Sequence, residues 1–120
     1  MTPGQRRRYA TAFFWTAAGA MHFLQPGFYE SIVPPPLERH RRSVVVLSGL
    51  AELAGGLAVL PRGTRRLARG WLLATLVAVY PANIHMALSP ERFRSIPRSL
   101  LWARLPLQGL FAWLTWRGTE

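Results

Sequence analysis

Four long apolar runs, separated by short polar segments, dominate the chain. They cover residues 9–24, 43–60, 70–88 and 99–116. A helix rises about 1.5 Å per residue and the hydrocarbon layer of a bilayer is about 30 Å thick, so these runs can span it, the shorter ones with help from flanking interfacial residues. Each run is apolar on all sides, which is typical of a helix that contacts lipid as well as protein. The pattern predicts an all-α integral membrane protein with one transmembrane domain over 1–120.

The segments between the runs predict how the helices are connected. Residues 25–42 contain three consecutive prolines at 34–36, which cannot continue a helix. Residues 61–69 form a tight basic turn, and residues 89–98 are polar with two prolines. Short connections place neighbouring helices antiparallel, so the sequence predicts an up-down-up-down four-helix bundle.

The charged residues cluster at the ends of the apolar runs. The chain has 15 basic and 5 acidic residues and a net charge of +10. Eight arginines lie on the side of the two termini and six on the other, which predicts a cell-membrane protein with cytoplasmic termini. Nucleic-acid binding is not predicted, because the arginines flank apolar runs and do not line one face. The absence of cysteine excludes thiol chemistry by this chain.

A few polar side chains fall within the apolar runs or at their ends. An ionisable group at the centre of a membrane helix costs about 2.5 to 3.5 kcal/mol, so residues that accept this cost are candidates for function. In an up-down bundle all four helices contribute such groups to one layer in the outer half. The candidate intramembrane polar site consists of His22, Glu52, Asn83, His85, Arg104 and Gln108.

Glu52 is the central member of this candidate site. It shares a helical stripe with Gly49 and Gly56, so it should face the interior of the bundle. Two alternatives are open: an ion pair between Glu52 and Arg104, or a neutral Glu52 with Arg104 extended to the outer surface. His22 and His85 lie at similar depth, but no haem or metal motif accompanies them, so no metal is predicted.

Several segments of the chain resemble the DoxX-like family of small bacterial membrane proteins. The most specific are S-G-x-x-E and P-A-N-I-x-M-A. The segments are MHFLQPGFYESIVP (21–34), VVVLSGLAELAGGLAVLPRGTRRLARG (44–70), YPANIHMAL (80–88) and LLWARLPLQGLFAW (100–113). The resemblance implies a four-helix membrane bundle with cytoplasmic termini and an association with redox complexes.

Two functions are compatible with these observations. The first is an accessory or binding subunit that associates with the lipid bilayer and with another membrane or redox protein. The alternative is a quinone-binding oxidoreductase subunit, in which Glu52, Asn83 and Arg104 supply polar contacts or protons to an amphipathic ligand. The sequence predicts no cofactor other than this alternative quinone, and it leaves open whether the chain is an enzyme.

Overall fold

The computed structural model describes residues 1–120 and is helical throughout, with no strand. It contains five α-helices: α1 (Pro3–Leu24), α2 (Pro26–Ser31), α3 (Arg41–Ala58), α4 (Arg62–Leu88) and α5 (Arg98–Gly118). Two short 3-10 helices lie at Pro35–His40 and Pro90–Arg92. The predicted all-α class is confirmed, and the short helix α2 is an element that the sequence analysis did not predict.

The first helix begins earlier than its apolar run. Thr2 caps α1: its Oγ1 accepts a hydrogen bond from the backbone N–H of Gln5 at 3.1 Å, and its own N–H donates to Gln5 Oε1 at 2.8 Å. This reciprocal capping box satisfies donors that the first helical turn leaves free, and Pro3 at the first helical position has a suitable φ. The helix therefore extends through the arginines that precede residue 9.

The four long helices pack side by side, each beside two others. Helix α1 lies beside α3 and α5, and α4 lies beside the same two helices from the opposite side. Each neighbouring pair is antiparallel. For example, α4 and α5 are joined near one end by a hydrogen bond from Arg69 to Thr119 and near the other by one from Arg104 to Asn83. Helices α3 and α5 are thus diagonal to each other, which determines which polar side chains can meet.

Glycines allow α1 and α3 to approach each other closely. A Cβ on Gly19 would lie 2.8 Å from the carbonyl oxygen of Gly49, and one on Gly56 would lie 2.9 Å from the backbone nitrogen of Thr16. A Cβ on Gly49 would lie 2.8 Å from Cβ of His22. No side chain fits between these backbones, so small residues at these positions are required for the observed packing.

Side chains from the start of α4 close the turn after α3. Thr64 Oγ1 donates to the carbonyl of Ala58 at 2.7 Å. The guanidinium of Arg65 donates from Nε to Val59 O at 2.9 Å and from Nη2 to Leu60 O at 2.8 Å. The last carbonyls of a helix have no partner within it, so these bonds end α3 and fix the start of α4.

The helices bury few apolar residues among themselves. Two small clusters lie at opposite ends, one around Trp15 and Leu72 and the other around Met86 and Leu101. Twenty-six large hydrophobic side chains are exposed, against thirteen hydrophobic residues that are buried. The greater part of the large apolar surface therefore faces outward.

One helix, α4, is long and apolar enough to cross a membrane by its length and composition. Only 28% of its apolar window is buried inside the chain, so this helix is not the enclosed core of the molecule. The sequence predicted four membrane-spanning helices. In the structure, α4 alone is long and apolar enough to be a candidate span. Charged residues interrupt the other long helices: α3, for example, carries Arg41, Arg42 and Glu52 within only 18 residues.

Candidate functional site

A histidine and a glutamate meet in the interior, between α1 and α3. Nδ1 of His22 lies 3.0 Å from Oε2 of Glu52, and both side chains are more than nine-tenths buried. The absence of a side chain on Gly49, one turn before Glu52, gives the His22 side chain its place against α3. The same glycine stripe that brings the two helices together therefore also brings the imidazole to the carboxyl group.

The hydrogen bonds of this pair are incomplete. Nδ1 of His22 lies 2.8 Å from the carbonyl oxygen of Ala18, one turn earlier in α1. Nδ1 carries at most one hydrogen, which it donates to this carbonyl. Oε2 of Glu52 is therefore buried without a hydrogen-bond partner, although it lies only 3.0 Å from Nδ1. A buried acceptor without a hydrogen-bond partner is costly, so this oxygen is the unsatisfied polar atom of the pair.

Tyr29 of α2 covers the histidine. Its ring stacks on the imidazole with 3.9 Å between centroids and 21° between planes. Burial raises the pKa of the Tyr29 phenol; the charge of Glu52 raises it further, and the charge of Arg104 lowers it. Sequence reasoning missed Tyr29, although its position in the aromatic FYES segment directly after the first run was the available signal.

Asn83 and Arg104 form a second polar pair, between α4 and α5. Nε of Arg104 donates to Oδ1 of Asn83 at 3.3 Å, and Asn83 is buried. No ion pair joins Arg104 to Glu52, so the first of the two predicted alternatives is not formed. The reason is geometric, because α3 and α5 are diagonal in the bundle and each residue meets a partner on an adjacent helix.

The two remaining candidates lie outside these pairs. His85 faces the segment after α4, with Nδ1 3.5 Å from Ser89 Oγ and Nε2 3.5 Å from Arg92 Nη1. Gln108 on α5 is half-buried and makes no side-chain hydrogen bond within the chain. No group of three or more His, Cys, Asp or Glu side chains is placed to hold a metal ion.

The arrangement presents an unpaired carboxyl oxygen, an imidazole and a phenol within an apolar bundle. Such groups can donate and accept hydrogen bonds and can hold the polar end of an otherwise apolar molecule. In low-dielectric surroundings these interactions are stronger than in water.

Comparison with protein families gives one match. The family model described as "Domain of unknown function (DUF8561)" matches residues 11–119, which include all five helices in whole or in part. The chain belongs to this family. No curated protein and no solved structure matches the chain.

Membership in DUF8561 corrects the predicted resemblance to the DoxX-like family, which is wrong. The motifs behind that resemblance have a simpler physical origin. S-G-x-x-E contains Gly49 and Glu52, which serve the packing of α1 on α3, and P-A-N-I-x-M-A contains Asn83, which binds Arg104. Close packing of helices around buried polar groups favours such residues in unrelated helix bundles. The redox association and the terminal orientation that the resemblance implied lose that support.

Proposed function

We propose that the chain is an integral membrane protein whose four long helices span the bilayer, and that it acts as an accessory or binding subunit of another membrane protein. The observation that carries the proposal is the outward-facing apolar surface. Every long helix contributes to it: Phe13 and Val77 are each 74% exposed, and Leu47 and Leu110 are 66% and 47% exposed. Soluble monomers rarely expose apolar patches of this extent, whereas lipid or a membrane partner covers them.

The charge distribution supports the same proposal. Arginines cluster at the two ends of the long helices, and the two interior polar pairs, His22 with Glu52 and Asn83 with Arg104, are turned towards neighbouring helices. Buried polar groups that face other helices are the usual arrangement within membranes. Eight arginines at the end that carries both termini, against six at the other, favour cytoplasmic termini.

A cysteine scan tests the topology, because the chain contains no native cysteine. We expect a membrane-impermeant maleimide to label Arg94→Cys on intact cells and to label Gly63→Cys only after the membrane is opened. Val77→Cys should stay unlabelled until detergent is added. Labelling of all three in detergent-free buffer, or a monodisperse chain in that buffer, would contradict membrane insertion.

The apparent mass of the protein, extracted in a mild, neutral detergent, tests the accessory role. We expect the chain, expressed at native level, to migrate in a complex larger than its own 13.5 kDa plus the detergent micelle. Disruption of that complex by Leu110→Arg on the exposed face of α5, with Glu91→Arg in the loop as the control, would support an intramembrane contact. A chain that is always monomeric contradicts the accessory role and leaves membrane insertion intact.

A second candidate function is the binding of a quinone-like amphipathic molecule at the His22–Glu52 pair. It is favoured by one observation, the buried Oε2 of Glu52 that has no hydrogen-bond partner. A short-chain ubiquinone analogue should quench tryptophan fluorescence of the wild type and of His85→Gln, whose side chain lies outside the pair. Loss of saturable quenching in a folded Glu52→Gln variant would support this candidate, and equal quenching in all three proteins excludes it.

A further inference from the structure

A large cavity lies at the end of the bundle opposite the His22–Glu52 pair. It has a volume of about 630 Å³ and opens between the start of α1, the start of α4 and the residues after α5. Its lining has no hydrophobic residue. Five arginines line it, and we call it the arginine pocket: Arg8, Arg62, Arg65, Arg66 and Arg69. Glu120 is the one acidic side chain in the lining, so the lining side chains carry four more positive than negative charges.

Two of these arginines are fixed in place by the fold. Arg65 is bonded to the carbonyls of Val59 and Leu60 at the end of α3. Arg69 donates from Nε to Thr119 Oγ1 at 3.0 Å, and its guanidinium carbon lies 4.1 Å from the ring centroid of Trp116. These contacts hold two guanidinium groups at the wall of the pocket without neutralising either charge.

The other three arginines are without partners. Arg8, Arg62 and Arg66 make no ion pair and no side-chain hydrogen bond, and Nε of Arg8 is buried with no hydrogen-bond partner. Pro61, which precedes α4, provides no side-chain cap, so free backbone N–H groups at the start of this helix add to the positive potential. Arg62 and Arg66 are exposed, as on a solvated basic face, whereas Nε of Arg8 is withdrawn from water and forms no hydrogen bond.

The crowding of like charges is visible in the pocket. Arg65 lies among the other four arginines of the lining, and Glu120 is the one acidic side chain there. Like charges held together raise the free energy of the empty pocket, and an anion bound among them relieves this repulsion. Guanidinium groups are well suited to such an anion, because their planar donors match phosphate oxygens two at a time.

We propose that the arginine pocket binds a phosphate group, carried either by a soluble phosphate compound or by the headgroup of an anionic phospholipid. Basic pockets at the ends of membrane helices provide this chemistry, and the volume falls within the range of small-ligand sites. The proposal concerns a site distinct from the His22–Glu52 pair and does not depend on the accessory role.

The test uses the full chain in a neutral detergent with two probes. Pyrophosphate is titrated calorimetrically, and native mass spectrometry compares phosphatidylglycerol with phosphatidylcholine added to the micelles. Arg62→Gln/Arg66→Gln removes two unpaired donors of the pocket. Arg94→Gln/Arg98→Gln removes the same charge at the opposite end, where both side chains are exposed and unpaired. We expect the pocket variant to weaken binding about tenfold or more and the control to weaken it less than about twofold.

The outcomes separate the sources of the phosphate. Pyrophosphate binding that the pocket variant loses assigns a soluble compound, and preferential retention of phosphatidylglycerol that the same variant loses assigns a lipid headgroup. Binding of neither probe overturns the proposal, as does an equal loss in both double variants, which would mark a general effect of net charge. If the chain needs detergent to stay soluble, the proposal of membrane insertion stands whether or not phosphate binds. The phosphate proposal and the membrane proposal can therefore fail separately.

Discussion

His22 and Glu52 meet where α1 and α3 are closest, with Nδ1 of the imidazole 3.0 Å from Oε2 of the carboxyl group. The contact and the close approach have one cause, because Gly49 lies beneath His22 and leaves no room for a side chain. Helix packing and the placement of the polar pair are therefore linked, and changes at either should affect the other.

Replacement of Glu52 should distinguish its shape from its charge. Glu52→Ala removes a buried side chain that contacts His22 and should lower the free energy of unfolding by about 2 to 3 kcal/mol. Glu52→Gln keeps the volume and should cost less than about 1 kcal/mol. Ser48→Ala, one turn earlier, is the control and should be neutral or slightly stabilising, since Ser48 Oγ is buried without a partner. Unfolding in neutral detergent measures all three, and an equal loss for Gln and Ala would contradict the shape argument.

The glycines between α1 and α3 give a second prediction. Gly19→Ala places a Cβ 2.8 Å from both the carbonyl oxygen of Gly49 and the backbone nitrogen of Leu53, neither of which can move aside without shifting a helix. We expect a loss of about 1 to 3 kcal/mol.

Gly109→Ala is the matched control for this change. Gly109 is also inside a helix, but nothing lies within 4 Å of its Cβ position. Alanine there should stabilise the helix by up to about 1 kcal/mol, because glycine is the poorer helix former. Thermal unfolding should therefore shift in opposite directions for the two variants. A shift in the same direction would mean that the close contact of α1 with α3 does not limit stability.

The sequence predicted the long helices better than their ends. The apolar runs identified each of the four, but α1 starts at Pro3 because Thr2 and Gln5 form a capping box, and α4 starts at Arg62 among basic residues. Helix α2 has six residues, too few for a hydrophobic period to be recognised. Hydrogen bonds of nearby side chains determine where such helices begin and end. The pattern of apolar residues does not show these bonds.

The sequence also identified buried polar residues but not how they pair. Depth along the helices placed His22, Glu52, Asn83 and Arg104 in one layer. Pairing depends on which helices are adjacent, and the order of helices around a bundle is set by packing between residues distant in the chain. Because α1 is beside α3 and α4 is beside α5, Glu52 meets His22 and Arg104 meets Asn83.

A buried hydrogen bond between α1 and α5 provides a third prediction. The indole N–H of Trp15 donates to Thr115 Oγ1 at 3.0 Å, and both residues are almost fully buried. Thr115→Val keeps the volume but leaves this donor without a partner, which should cost about 1 to 3 kcal/mol. In a double-mutant cycle with Trp15→Phe, the combined loss should be smaller than the sum of the single losses.

Thr75→Val is the control for the threonine change. Thr75 is also helical, but its hydroxyl donates only to the carbonyl of Trp71 in the same helix. Its replacement should change the free energy of unfolding by less than about 0.5 kcal/mol. Additive effects of Trp15→Phe and Thr115→Val would indicate that the hydrogen bond does not contribute to stability.

The turn between α3 and α4 gives the last prediction. The guanidinium of Arg65 donates hydrogen bonds to two carbonyls, from Nε to Val59 O and from Nη2 to Leu60 O. A lysine ammonium lacks the planar, forked donors that this geometry requires. Arg65→Lys should therefore lower the free energy of unfolding by about 1 kcal/mol and speed amide exchange at the start of α4. Arg66→Lys, at the next position and without a bonded partner, keeps the same charge and should leave both measurements unchanged. Identical behaviour of the two variants would mean that the charge of Arg65, and not its bonds to the end of α3, is what the turn requires.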